Sequence, residues 1–129
     1  MTKQNKPIPT ELNYDGETRL LKVSFDDGKS FDLSAEYLRV FSPSAEVQGH
    51  SPASAKLQFG KESVKIEKIE ATGNYAVTIF FDDGHDSGIY SWDWLYGLGI
   101  NQEENWQDYL ERLKAAGKSR KSIKVTQLQ

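Results

Sequence analysis

The 129-residue chain has no cysteine. That excludes a disulfide framework, a thiolate nucleophile, a cysteinyl iron–sulfur centre and a Cys-ligated zinc. It has one methionine, four prolines and two histidines, so any imidazole chemistry rests on His50 and His85. No apolar run approaches the roughly 20 residues that span a bilayer. The N-terminal MTKQNKPIPT has neither an apolar h-region nor a small-residue cleavage site. The expectation is therefore a soluble, cytoplasmic protein with no membrane partner. Catalytic signatures are missing as well: there is no Gly-x-Ser-x-Gly elbow, Walker A loop, Gly-x-Gly-x-x-Gly or His-Glu-x-x-His.

What is present suffices for one folded domain. Hydrophobic residues make up 37% and aromatics 12% of the chain, too much for a disordered one, and the length is near the commonest domain size. The net charge of -3 is unevenly spread. Residues 1–111 hold all 19 acidic side chains and 10 basic ones, net -9, whereas residues 112–129 hold six basic and no acidic ones, net +6. Without a nucleic-acid motif or interleaved aromatics, this basic stretch reads as a solvated tail, and nucleic acid is not the expected partner.

Residues 1–9 read as a flexible arm within an irregular entry up to residue 18, with some order around Leu12 and Tyr14. From Arg19 the period becomes two: Leu21, Val23 and Phe25 alternate with Lys22 and Ser24, Asp26-Asp27-Gly28 interrupts, and Phe31 and Leu33 resume. This predicts a hairpin with a tight primed turn. Ser34 caps a short helix through Phe41, Pro43 stops it, and Ser42 to Gly60 reads as a long surface loop. Val64, Ile66 and Ile69 open a second hairpin across Thr72-Gly73-Asn74, with a strongly β-prone strand from Tyr75 to Phe81. After Asp82-Asp83-Gly84, residues 85–90 pair back and Ser91 caps a helix that Gly97 and Gly99 end. Asn101 caps the longest helix, 102–116, in which Trp106, Tyr109, Leu110 and Leu113 share a face.

Two stretches echo one another: VSFDDGKSFDLSAEYL (23–38) and IFFDDGHDSGIYSWDWL (79–95). Each runs strand, Asp-Asp-Gly turn, strand and Ser-capped helix. The predicted fold is α+β: a mainly antiparallel sheet built from two hairpin-plus-helix units, with the longer C-terminal helix packed on it. The expected divisions are the arm 1–9, a domain 10–99, the helix 100–117 and a flexible basic tail 118–129. Trp94, which cannot share the face of Trp92, Leu95 and Tyr96, is expected beside the final helix. Trp94, Trp106, Arg112 and Lys114 are the candidate partner-binding residues.

Asp82-Asp83-Gly84-His85-Asp86 is the one concentration of potential metal ligands, carboxylates with one imidazole suiting a hard or borderline cation. Turn geometry alone accounts for the same pattern, because Asp26-Asp27-Gly28-Lys29 repeats it with a lysine at the histidine position. His85-Asp86-Ser87 and His50-Ser51-Pro52 both fail the His-x-Asp pattern of the Fe(II) facial triad.

The segments LSAEYLR (33–39) and FDDGHDSGIYSWDWL (81–95) resemble the DUF971 family, the gamma-butyrobetaine hydroxylase-like N-terminal domain, in its stand-alone bacterial form. The resemblance covers about residues 10–99. In the hydroxylases such a domain precedes a separate 2-oxoglutarate and Fe(II) catalytic domain; with some thirty residues after the match, the expectation here is a chain without it. The hydroxylase version holds zinc through a Cys-x-Cys-x-x-Cys loop and the histidine of its Gly-His segment. Here His85 matches that histidine, and Ser42, Ser44 and Val47 stand at the cysteine positions. The resemblance implies a non-catalytic adaptor that docks a protein partner, in a setting of iron–sulfur or metalloenzyme maturation, as a monomer or weak homodimer without a cofactor. The alternative is a metal-binding accessory protein using His85 with Asp82, Asp83 or Asp86, zinc and iron being the ions left open.

Overall fold

The computed structural model describes residues 6–49 and 55–122. His50 and the basic stretch from Ile123 onward, Lys124 included, lie outside the described residues. Two three-stranded antiparallel sheets, rather than one, carry the chain. β1 (Pro9–Asp15), β2 (Leu20–Phe25) and β3 (Ser30–Ser34) form the first in that order, followed by α1 (Ala35–Val40) and the one-turn α2 (Ala45–Gln48). β4 (Ile66–Thr72), β5 (Ala76–Phe81) and β6 (Gly88–Ser91) form the second, followed by α3 (Trp92–Ile100) and α4 (Gln102–Ala116). The fold is α+β, as the periodicities predict.

One hydrophobic core unites the sheets. Leu21, Val23, Leu33 and Leu38 from the first half are fully buried with Ile79, Tyr90 and Leu95 from the second. α4 closes the molecule through a smaller cluster in which Tyr109 and Leu113 meet Val40. That is the i, i+4 stripe the sequence predicts.

The echo between the halves is a structural duplication that reaches further back than the two sequence segments. In each half the first strand pairs with the second across an irregularity at its start, between Pro9 and Glu11 in one and Ile66 and Lys68 in the other. In each, the Asp-Asp-Gly segment is a three-residue loop instead of the expected primed turn. Gly28 and Gly84 both sit at φ 90° and donate to the carbonyls of Phe25 and Phe81. A type I turn followed by a glycine at positive φ preserves the strand twist as well as a primed turn does. The helix caps also repeat: Ser34 Oγ accepts from Tyr37 N–H at 3.0 Å and Ser91 Oγ from Trp94 N–H at 3.1 Å.

Four local expectations need correction. Most of the irregular entry is strand β1; only Leu12 and Tyr14 turn toward the core, too few to set a visible period. The loop from Ser42 contains α2, capped by Ser44. α3 runs through Gly97 and Gly99 to Ile100: a Cβ on Gly99 would overlap the Phe31 ring, so this glycine serves close helix–strand packing, not termination. Asn101 gives α4 no side-chain cap; its amide nitrogen donates instead to Gly97 O, finishing α3.

Residues 118–122, read from sequence as the start of the tail, fold back on the body. Gly117 at φ 65° reverses the chain, and Lys118 N–H donates to Leu113 O. The carbonyls of Ser119 and Arg120 then accept from Gly60 and Glu62 N–H at 2.9 and 3.0 Å.

Candidate functional site

All six residues of α1 are buried, including Glu36 and Arg39. A helix buried on every side forces its charges to find partners inside the protein. Arg120 meets Glu36 with two hydrogen bonds of 2.8 and 2.7 Å. Arg39 Nε donates to Asp83 Oδ2 at 2.9 Å, and its Nη1 to Gln58 Oε1 at 3.1 Å. Lys61 Nζ shares the same Asp83 oxygen at 2.7 Å. Burial alone would raise the Asp83 carboxyl, but the hydrogen bonds from Lys61 and the His85 N–H and the charge of Arg39 outweigh it. They hold its pKa at about 2.

The loop that carries Asp83 delivers His85 into the interior, where the residue is 6% exposed. Its Nε2 lies 2.9 Å from Ser42 Oγ, just past α1, and its Nδ1 lies 3.3 Å from the Glu46 carboxylate on α2. Because a carboxylate only accepts, the proton of a neutral ring belongs on Nδ1, leaving Nε2 to accept from the Ser42 hydroxyl. Burial first, and then the Arg39 charge, depress the histidine pKa below its usual range. Ser42 Oγ in turn accepts from Ser44 N–H at 3.2 Å, and Ser44 Oγ bonds Ser87 Oγ at 2.6 Å. Gly88 permits this approach, since a Cβ there would stand 2.6 Å from Ser42 Oγ. Tyr90 completes the junction by donating to Leu38 O at 2.6 Å, and its burial raises its pKa far above the usual range.

The structure thus brings His85, Ser42 and Ser44 together and buries Val47 nearby, but the donor set does not fit a zinc ion. Zinc sites of this type use thiolates and imidazoles, whereas these are two neutral hydroxyls, already hydrogen-bonded, and a valine. Glu46 faces the opposite ring nitrogen from Ser42. Asp83 is committed to Arg39 and Lys61, and Asp82 Oδ1 accepts from Lys65 N–H. Among the described residues no three His, Asp or Glu side chains gather as a metal would require. No buried side-chain nitrogen or oxygen there lacks a hydrogen-bond partner.

Of the four candidate partner-binding residues, Trp94 and Arg112 both meet Phe41, the first through its carbonyl and the second with its guanidinium 5.8 Å from the ring centre. Trp94 is half-buried, with its indole N–H donating to Phe41 O at 3.0 Å. Trp106 is half-buried with its ring 5.1 Å from the Arg120 guanidinium. Arg112 pairs with Asp108 one turn away at 3.0 Å. Lys114 is exposed and borders a separate groove with Lys118 and Lys121. Sequence reading missed Glu36, Arg39 and Arg120. The available signal was a charged pair inside a helix whose other four residues are apolar or aromatic.

A duplicated strand-strand-strand-helix core, joined at an Asp-Gly-His loop whose histidine is buried and closed by one long helix, defines a small α+β module. The chain belongs to the family described as gamma-butyrobetaine hydroxylase-like, N-terminal, whose model matches residues 12–96. Two proteins with solution NMR structures are similar over nearly its full length. One is 47% identical, with 100% of this chain and 97% of its own covered and a TM-score of 0.79. The other is 43% identical, with 96% and 98% covered and a TM-score of 0.80. A crystal structure of a DUF971-family protein of unknown function from Acidithiobacillus ferrooxidans ATCC 23270 is 32% identical, covering 70% of this chain and 91% of its own, with a TM-score of 0.58. No curated protein matches the sequence.

Proposed function

We propose that this chain is a non-catalytic binding or adaptor module serving iron–sulfur or metalloenzyme maturation in the cytoplasm, as a monomer or weak homodimer without a resident metal. One observation carries the reading: apart from the exposed Asp86 and Ile89, the side chains of the Asp82–Ser91 segment hold the molecule together. Asp83 binds Arg39 and Lys61, His85 binds Ser42, Ser87 binds Ser44, Tyr90 binds the end of α1, and Ser91 caps α3. A catalytic set needs groups left free to meet a substrate, and these are not free. The metal-binding alternative, His85 with Asp82, Asp83 or Asp86, would require Ser42 to surrender the Nε2 of His85 or Glu46 its Nδ1, and Asp83, where it is the ligand, to surrender two cations. The test is incubation of the full chain with Fe(II) and 2-oxoglutarate, with elemental analysis of the same preparation. The expected outcome is succinate at the no-enzyme level and zinc and iron far below one per chain. Succinate above control overturns the non-catalytic reading. One metal per chain, lost in His85→Ala, establishes the accessory alternative.

A further inference from the structure

The folded-back segment makes a groove that the sequence does not announce. α4 forms one side and residues 118–121 the other, with a cavity volume of about 420 Å³. Its floor is apolar, from the half-buried Leu110 and the buried Leu113. Its rims carry Lys114, Lys118 and Lys121 on one chain segment and Glu62 as the single acid. Outside the groove lining, Lys118 Nζ rests 4.7 Å from the centre of the exposed Phe59 ring. None of these three lysines has a carboxylate of the described residues within ion-pair distance.

The groove is also held in shape. Arg120, between the rim lysines, is anchored to buried Glu36 and covers Trp106, and the backbone of 119–120 is hydrogen-bonded to Gly60 and Glu62. A pre-formed surface loses little ordering entropy when a ligand docks, so these cations are not an unstructured tail.

We propose that this groove docks a short acidic segment of a partner protein, aliphatic side chains on Leu110 and Leu113 and carboxylates against Lys114, Lys118 and Lys121. The inference rests on the adaptor reading and names the partner's chemistry. Charge complementarity selects this occupant over the others. A nucleic acid presents phosphates and sugars but no aliphatic side chain to fill the floor of Leu110 and Leu113 between the rim lysines. Residues 123–129 of this chain contain no acidic side chain and do not complement the rims.

The probe is a fluorescently labelled short peptide of Glu, Asp and Leu, titrated into the full chain and followed by anisotropy. Its Gln/Asn/Leu counterpart and an oligothymidylate of equal length serve as competitors. The acidic peptide is expected to bind, to weaken as salt rises, and to lose at least about tenfold in affinity in Lys114→Gln/Lys118→Gln/Lys121→Gln, whose melting temperature stays unchanged. The counterpart and the oligonucleotide should not compete. No binding, equal binding of the uncharged peptide, or an undiminished triple variant overturns the proposal. Tighter binding of the oligonucleotide, or self-association lost in the triple variant, assigns the groove to nucleic acid or to a second copy and equally overturns it. The succinate and metal assays are independent of this titration, so the surface and the adaptor reading can fail separately.

Discussion

The two Asp-Asp-Gly loops have the same backbone and opposite fates. In both, the glycine adopts φ 90°, the first aspartate accepts from the backbone N–H that opens the neighbouring strand, from Ile8 or Lys65, and the second from the residue after the glycine, Lys29 or His85. In the first half the loop ends in water: Lys29 is exposed, and the other oxygen of Asp27 accepts from the Tyr96 hydroxyl at 2.6 Å. In the second half the loop is roofed by α2 and the chain from residue 55 onward, so the same position must be filled by a side chain that can be buried. A neutral imidazole with a proton on one nitrogen and a lone pair on the other meets that demand, whereas an ammonium does not. Turn geometry is thus a local property, and the chemistry at the turn is imposed by what covers it.

Exchanging the fourth residues of the loops breaks this comparison most directly. Lys29→His should change stability by no more than about 0.5 kcal/mol, as ordinary exposed substitutions do. His85→Lys buries an ammonium beside Arg39 and leaves Ser42 without its acceptor, and should cost about 3 kcal/mol. Urea unfolding of the two variants under one buffer condition checks both. Similar losses would mean that the second loop is no more constrained than the first.

The next effect comes from the structure that roofs the second half. Arg120→Ala strips buried Glu36 of its partner and frees the segment 118–122. The arginine side chain is 39% exposed, so solvent screening reduces the loss from that of a fully buried pair; about 1–2 kcal/mol is expected. Glu36→Gln together with Arg120→Ala should recover part of it, because no unpaired buried charge then remains. Reading 118–129 as a solvated tail predicts that its removal leaves the melting temperature unchanged; the Glu36 pair predicts a fall. Calorimetry on the Arg120 variants decides between them, an unmoved melting temperature counting against the docked segment.

What was legible in the sequence is what is local. Alternation at Leu21, Val23 and Phe25, serine before each short helix, glycine in each loop and the Trp106–Leu113 stripe all act within a few residues, and each has its predicted element. β1 was not legible, because with two inward residues it is strand only by pairing with β2. α3 passes through two glycines because Gly99 must fit beneath Phe31, a contact nearly 70 residues distant in sequence that no helix-stop rule anticipates. The site follows the same division. The Asp-Gly-His loop could be read, but its partners Arg39, Ser42 and Lys61 come from other elements. The Glu36–Arg120 pair spans 84 residues, with no periodicity to betray it. Gly88 stands where the first half has Phe31, and the freed volume is what lets Ser42 reach across. The duplication is therefore symmetric in backbone and asymmetric in what each half encloses.

The smallest effect sharpens the comparison by pH. Above the ordinary histidine pKa of 6.5, His85 is neutral in both folded and unfolded chains and contributes no pH dependence. Below it the unfolded chain takes up a proton that the folded chain resists, because burial and Arg39 keep the folded pKa lower. Stability therefore falls as pH drops from 6.5 toward that depressed value and then levels. Asp83 acts in a lower window with a similar outcome. Its carboxyl, at about 2 against an ordinary 3.8, stabilises the fold fully above pH 4, and that contribution fades as pH approaches 2. Urea midpoints measured from pH 7.5 down to pH 5 should decline for the natural chain and flatten in His85→Gln, which keeps an acceptor for Ser42. A decline that survives in His85→Gln would place the titrating group outside the second loop, and the burial imposed there would not be the cause.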